Sequence, residues 1–311
     1  SSGCSGRTLS TNLGASLLRA AVPRGQKHRA ARAAHLALRL LRYALLIAIA
    51  VVILLPYVWM LSGSLRSQTE IFANLYPLTI WTFIPQQWTL DNFRALLELK
   101  PLPFTNYVFN SLFVAITVTA LSVVVNAFAA YVFARVPFRG RDQLFVVFLA
   151  TMIIPFEVLA IPLYLEMRLL NWVDTYWALI VPFAASPFGM FLLRQFFLGI
   201  PYELEEAARI DGCSRFGAFW RIVLPNSLPA LIAFGIIRFQ FSWDAFLWPL
   251  IAAPSPPVRV IQVAVASFDT DIQVQWNLVF AAAVVASLPV VLLVAFLQRY
   301  YVQGVATTGF K

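Results

Sequence analysis

The chain has 311 residues, of which 60% are hydrophobic and only 12% are charged. A soluble globule of this length needs more polar surface, so the composition excludes an ordinary soluble domain and predicts a protein of the lipid bilayer. The formal net charge of +9 does not indicate nucleic-acid binding, because basic residues cluster in the tail before the first apolar run, where they act as an orientation signal.

Six apolar segments approach the roughly 20 residues that cross a bilayer. They are residues 41–62, 108–134, 143–168, 175–197, 226–251 and 277–299. Lysine and arginine concentrate in the N-terminal tail and in the loops 135–142 and 198–225, which places both termini in the cytoplasm. The sequence predicts an all-α polytopic membrane protein with six transmembrane helices. Its predicted parts are a poorly ordered basic tail (1–40), a first helix with its external loop (41–107), a five-helix core (108–300) and a C-terminal tail (301–311).

The external loop, 63–107, contains Trp81 and Trp88 and is predicted to be an interfacial lobe rather than a linker. In the second span, Thr119, Ser122 and Asn126 share one helical face. Polar residues on one face of a membrane helix more often join helices than contact substrate, and we expect the former here.

The third span is interrupted by Pro155 and Pro162, with Glu157 between them. A proline frees backbone carbonyls, which a membrane tolerates only against protein or a water-filled cavity. We therefore expect this span, and Glu157 with it, to line a translocation path.

The loop 198–225 predicts a short helix after Pro201, with acidic residues in its first turn. Leu204, Ala207 and Ala208 form a narrow apolar face, and Glu205 is expected to pair with Arg209 on the exposed side. Gly212 is expected to end the helix in the left-handed conformation, and Ser214 to cap a second one. Such a helix suits a groove on another protein; the alternative is an ordinary surface helix.

The fifth span contains Arg238, Gln240, Asp244 and Trp248. On a continuous helix the last three share one stripe, which combines hydrogen-bonding groups with an aromatic face that could pack against a sugar ring. We expect this stripe to face a path through the membrane; the alternative is packing against a partner chain. Arg238 points away from Asp244 and is either a buried charge or an interfacial residue.

The segment Glu206-Ala207-Ala208 to Gly212, followed by Ile222-x-Leu224-Pro225, resembles the cytoplasmic loop of ABC importer permeases, specifically the smaller permease subunit of maltose-type carbohydrate importers. The resemblance implies the type I importer fold, a second permease subunit, two ATPase subunits, an extracytoplasmic solute-binding protein and contact with membrane lipid. It assigns ATPase coupling to Glu206, Ala207, Ala208, Asp211, Gly212, Ile222, Leu224 and Pro225. The family has Trp-Asn-Glu-Phe where this chain has Trp243-Asp244-Ala245-Phe246, so Asp244 is a departure from the pattern.

The chain contains no phosphate-binding loop, so no cofactor is expected in it, and ATP and Mg²⁺ are expected in the partner ATPases. Both histidines, His28 and His35, lie in the basic tail, which argues against a metal site or a catalytic set within the membrane. An ion-coupled secondary carrier is the alternative function, although the inverted repeats expected of many such carriers are not evident. Residues 303–309 resemble a family tail that reaches between the ATPases; the alternative is a frayed end. The sequence does not identify the sugar.

Overall fold

The computed structural model describes residues 24–73, 76–77, 79–268 and 274–306, and the side chains of these residues from 35 to 296. The chain divides into two compact units, residues 1–58 and 59–311. Every regular element in the described ranges is a helix.

The described helices follow the chain in three groups. The first group is α1 (Arg24–Ser64), α2 (Gln68–Ala73), α3 (Asp91–Leu97) and α4 (Phe104–Arg135). The second is α5 (Arg141–Ala150), α6 (Phe156–Leu169), α7 (Tyr176–Ile180) and α8 (Pro187–Leu198). The third is α9 (Glu203–Ile210), α10 (Arg215–Ala218), α11 (Leu224–Asn226), α12 (Leu228–Trp243), α13 (Leu247–Ala252), α14 (Ile261–Ala266) and α15 (Trp276–Ala306).

Four stretches in the described residues are long and apolar enough to cross a membrane: His35–Ser64, Phe104–Arg135, Tyr176–Leu198 and Trp276–Phe296. Two bent pairs bring the number to six. Helices α5 and α6 meet at 101° beside Pro155, where the sequence predicted an interruption. The interruption predicted at Pro162 is wrong, because Pro162 lies inside the continuous helix α6. The second pair, Arg215–Asn226 with α12, bends by 76°. The six-span all-α architecture predicted from the sequence is confirmed.

Helix α4 is the centre of the second unit. Its residues contribute to four buried clusters, which pack it against α12 and α15, against α7 and α13, against α8 and α12, and against α5 and α8. Alanines at its contacts, including Ala115 and Ala130, are completely buried. Small residues allow neighbouring helices to approach closely, which is the main source of packing energy where lipid removes the hydrophobic driving force.

Asn126 joins α4 to the start of α8. Its Nδ2 donates to the carbonyl of Ala184 at 3.1 Å, and its Oδ1 accepts from the amide of Ser186 at 2.9 Å. These backbone groups lie beside the proline at the start of α8, where the helical hydrogen-bond ladder is interrupted. These two hydrogen bonds are a direct contact of the kind predicted for this polar face, since they join two helices.

The segment between α1 and α4, which the sequence predicted to be external, folds into a lobe. The buried guanidinium of Arg66 donates through Nη2 to the carbonyl of Trp81 at 2.8 Å, and Asn92 donates to the carbonyls of Ser64 and Arg66. Desolvation lowers the pKa of Arg66, and the carboxylate of Glu70, 3.8 Å from its Nε, acts in the opposite direction. Buried polar contacts hold the segment as a lobe rather than as a linker.

The two predicted tails differ from expectation where they are described. Helix α1 begins at Arg24, inside the predicted tail 1–40, in a stretch rich in alanine, leucine and arginine, which are good helix formers. Helix α15 continues to Ala306, beyond the predicted end of the sixth span. Residues 1–23 and 307–311 lie outside the described residues. The predicted tail that would reach between the ATPases, 303–309, is therefore described only as far as residue 306.

Candidate functional site

The predicted coupling helix is α9, Glu203–Ile210, which begins directly after Pro201 and Tyr202. Three glutamates occupy its first turn, where the helix dipole favours negative charge. Gly212 follows the helix with φ of 84°, as the sequence predicted, because a side chain disfavours this left-handed conformation. Ser214 Oγ then accepts from the amide of Gly217 at 3.1 Å and caps α10.

A buried ion pair fixes α9 to the end of α4. Glu205 Oε1 lies 2.8 Å from Arg135 Nε, and both side chains are almost fully buried. Arg135 Nη2 also donates to the carbonyls of Phe197 and Ile200, at 2.7 and 2.5 Å. One guanidinium thus holds the end of α8, the turn after it and α9 against the last residue of α4.

Tyr131 completes this anchor. Its hydroxyl lies 3.2 Å from Glu205 Oε2 and 3.0 Å from the carbonyl of Arg215, and its single proton is shared between these two acceptors. The hydroxyl therefore links α4 to the helices on both sides of Gly212.

The predicted Glu205–Arg209 pair is wrong. Glu205 is only 4% exposed and faces Arg135, which lies 70 positions earlier in the sequence. Glu205 is thus an internal anchor, whereas its neighbour Glu206, the first residue of the predicted coupling motif, is exposed. Helical spacing suggested the local partner, but burial against a distant cation decided the pairing.

The other residues predicted to couple to the ATPase differ in how far they are exposed. Ala207, Asp211, Gly212 and Pro225 are exposed, and Ala208, Ile222 and Leu224 are half-buried. After α10 the chain forms one π-helical turn, Phe219–Val223, which buries Phe219 and Val223 completely. The Ile222-x-Leu224-Pro225 motif therefore flanks a residue that is fixed in the core.

Large apolar side chains around α9 are left uncovered. Ile210 is 87% exposed, and Leu204, Phe216 and Trp220 are each about half exposed. An exposed apolar group rimmed by charges is typical of a protein-interaction surface. The face predicted from Leu204 and Ala207 is therefore available for docking.

The fifth span differs from its prediction. Helix α12 ends at Trp243, Asp244 is its C-cap, and Trp248 belongs to the separate helix α13. The predicted stripe of Gln240, Asp244 and Trp248 is therefore not a continuous helical face. Pro249 explains the break, because its ring would clash with the carbonyl of Ala245 in an uninterrupted helix, whereas the first turn of α13 accommodates it.

A cavity of about 360 Å³ lies where α12 and α13 separate. Arg238, Ser242 and Trp248 line it from these helices, and Phe156 and Phe183 line it from the third and fourth spans. Trp248 is 3% exposed and donates through Nε1 to the carbonyl of Ala178 at 2.9 Å. Of the four predicted path residues, Trp248 lines this cavity.

The other three predicted path residues lie elsewhere. Gln240 and Asp244 are exposed and adjacent, with the amide of Asp244 donating to the carbonyl of Gln240 at 2.9 Å. Glu157 is exposed in the first turn of α6. Arg238, whose orientation the sequence left open, is the charged residue that lines the cavity. The sequence signal that could have located this site is Pro249, because it favours a break between α12 and α13 beside the cavity.

The family described as "Binding-protein-dependent transport system inner membrane component" matches residues 127–307. The arabinooligosaccharides transport system permease protein AraQ of Halalkalibacterium halodurans is 35% identical over 263 residues, covering 85% of this chain and 93% of the relative. The sulfoquinovosyl glycerol transport system permease protein SmoH of Agrobacterium fabrum is 33% identical, with coverages of 83% and 89%. A chain of a bacterial ABC transporter involved in the import of the acidic polysaccharide alginate has the same fold, with a TM-score of 0.75 at 22% identity, over 85% of this chain and 96% of that one.

These similarities, together with the six spans, define a multi-pass permease of an ABC importer rather than a catalytic enzyme. The chain belongs to the binding-protein-dependent transport system inner membrane component family. The matched segment, 127–307, contains the anchor, α9 and most of the residues that line the cavity.

Proposed function

We propose that this chain is the permease subunit of an ATP-driven sugar importer and forms one half of its translocation path. The observation that carries the proposal is the exposed apolar surface of α9, held to the membrane core by a buried ion pair. An ATPase subunit docked on this surface can transmit its closure to α4, because Glu205 and Arg135 connect the two helices directly.

The proposed assembly contains a second permease subunit, two ATPase subunits that bind ATP and Mg²⁺, and an extracytoplasmic solute-binding protein. With both termini in the cytoplasm, α9 lies on the same side as the ATPases. The sugar class is supported by relatives whose names include arabinooligosaccharides and sulfoquinovosyl glycerol. An oligosaccharide or a related polyol derivative is the proposed substrate.

The docking surface is tested with a charge reversal. Glu206→Lys leaves the buried anchor intact and places a cation on the exposed face, so we expect normal membrane insertion and weak retention of the ATPase during purification. Glu203→Lys is the matched control, because it removes another first-turn carboxylate from the same helix dipole. Equal loss in both variants would indicate a weakened helix and contradict a docking role for Glu206.

Transport in proteoliposomes tests the energy source. We expect sugar uptake to require the ATPase and internal ATP, and to be abolished in Glu206→Lys. Uptake that follows an ion gradient without the ATPase would overturn the proposal and favour a secondary carrier.

A further inference from the structure

The guanidinium of Arg238 in the cavity has no carboxylate partner in the described part of the chain. Its Nη2 donates to the carbonyl of Phe183 at 2.6 Å, and its Nε is buried without a hydrogen-bond acceptor among the described residues. The nearest acidic residue in sequence, Asp244, forms no ion pair with Arg238, and its backbone amide donates to the carbonyl of Gln240 at 2.9 Å. Arg238 therefore brings to membrane depth a positive charge that no carboxylate among the described side chains neutralises.

An uncompensated charge in a medium of low dielectric is expensive, and membrane proteins keep such residues where they meet a counter-ion or a transported group. The ring of Phe183 lies under the guanidinium, 5.8 Å from Cζ to the ring centroid, and supplies only a weak interaction. The guanidinium has a planar set of donors that matches carboxylate, sulfonate and phosphate oxygens.

The remaining wall of the cavity suits a sugar. Phe156, Phe183 and Trp248 form an aromatic cluster with ring centroids about 6 Å apart, and Ser242 adds a hydroxyl. The volume of about 360 Å³ lies within the range of small-ligand sites. Apolar walls with one or a few polar groups fix the orientation of a ligand.

We propose that this cavity binds an anionic group on the transported sugar, with Arg238 as its charged donor. This inference rests on the proposed function, because it requires that a sugar passes through this subunit. The ligand chemistry is a sugar ring that carries a carboxylate, sulfonate or phosphate, and the same anionic oxygens could also come from a lipid headgroup.

The test compares two sugars in the reconstituted importer. One is a uronate oligosaccharide, and the other is the same molecule with its carboxyl groups reduced to alcohols, which makes it neutral. In the unsubstituted protein we expect transport to favour the acid. Arg238→Gln should reduce this preference by about 10- to 100-fold, the range expected for loss of a hydrogen bond to a charged group. Arg238→Lys, which retains the charge without the planar set of donors, should lose less.

Arg168→Gln is the control, because Arg168 is exposed at the end of α6 and does not line the cavity. Its preference for the acid should equal that of the unsubstituted protein. If both sugars are transported and Arg238→Gln leaves their ratio unchanged, the inference fails while the proposed function stands. The proposed function itself fails if three results occur together. These are no transport of either sugar, no uptake of any oligosaccharide in a neutral panel, and no stimulation of ATP hydrolysis by substrate.

A second measurement keeps Arg238 and remains informative if its replacement prevents assembly. Ser242→Cys, with Cys4 and Cys213 replaced by serine, is labelled with a water-soluble thiol reagent. Protection by the acid but not by the reduced sugar supports the inference, and equal protection by both overturns it. Protection that depends on phosphatidylglycerol in the vesicles, and on neither sugar, would assign the anion to lipid. A label blocked in every state, together with loss of the permease heterodimer in Arg238→Gln, would assign Arg238 to a carboxylate of the partner subunit.

Discussion

Breaking the Arg135–Glu205 pair should release α9 from the core without unfolding the membrane spans. Glu205→Leu leaves the guanidinium of Arg135 buried and without its counter-ion, although two carbonyls still accept from it. Removal of one partner of a buried pair costs about 3–5 kcal/mol. Helix α9 has eight residues and exposes much of its apolar surface, so little other burial opposes its detachment.

The loss of α9 stability in the variants of the three anchor residues should increase with the number of contacts that each variant removes. Arg135→Met removes the ion pair and two hydrogen bonds to carbonyls, so it should cost at least as much as Glu205→Leu. Tyr131→Phe removes one shared proton and should cost about 1–3 kcal/mol. The double variant Arg135→Met/Glu205→Leu contains no unpaired charge, and its loss should be smaller than the sum of the single losses by about 2–3 kcal/mol.

Hydrogen–deuterium exchange of the peptide covering residues 201–212, measured in nanodiscs, checks the effect locally. A loss of about 3–5 kcal/mol corresponds to exchange faster by roughly 10²- to 10⁴-fold, up to the rate of an unstructured peptide. Peptides from α4 that precede Tyr131 serve as the internal control and should keep their protection. Unchanged exchange of residues 201–212 in both single variants, or additive losses in the double variant, would refute the anchoring argument.

Three further substitutions give distinct expectations. Gly189→Ala should destabilise the α8–α12 contact by about 1–3 kcal/mol in a thermal-melting assay, because the added Cβ would clash with the buried ring of Phe234. The added substitution Phe234→Leu should recover part of the loss. Asn126→Ala should lower the free energy of unfolding by about 1–3 kcal/mol in the same assay, since the carbonyl of Ala184 and the amide of Ser186 lose their hydrogen-bond partner. An unchanged melting temperature would contradict this expectation. Gly212→Val should impair ATPase retention more than Gly212→Asn, because φ is 84° at this position and asparagine tolerates this conformation better than valine. The space around the position is open, so only backbone strain distinguishes the two variants. Equal retention would argue against a conformational role for Gly212.

Local signals in the sequence predicted the features that depend on neighbouring residues. The apolar runs gave the six spans, Pro155 gave the break between α5 and α6, and Gly212 and Ser214 gave the left-handed turn and the cap after α9. Each of these follows from chain length, a missing N–H, a missing side chain or a short-range hydrogen bond.

The features that depend on remote residues were beyond this reasoning. Glu205 is buried because Arg135 reaches it from the end of α4, and no spacing rule connects positions 70 residues apart. Pro249 was a signal in the sequence against one helix from Gln240 through Trp248, since a proline inside a helix removes a hydrogen bond and clashes with the preceding turn. Hydrophobicity identified the span there, but backbone chemistry determined where its helix ended.

Helix α4 connects the two functional surfaces. It runs for 32 residues without proline or glycine, whereas the chain around it is interrupted at Pro155, Pro187 and Pro249. Val114 on α4 lines the cavity, and Arg135 at its end holds α9, so the two contacts are separated by roughly 30 Å at about 1.5 Å per residue. A continuous helix transmits displacement as one body, while broken neighbours can bend at their interruptions. We infer that movement of α9 reaches the cavity through displacement of α4 as a whole, with the breaks beside the cavity, near Pro155 and between α12 and α13, absorbing the change in shape.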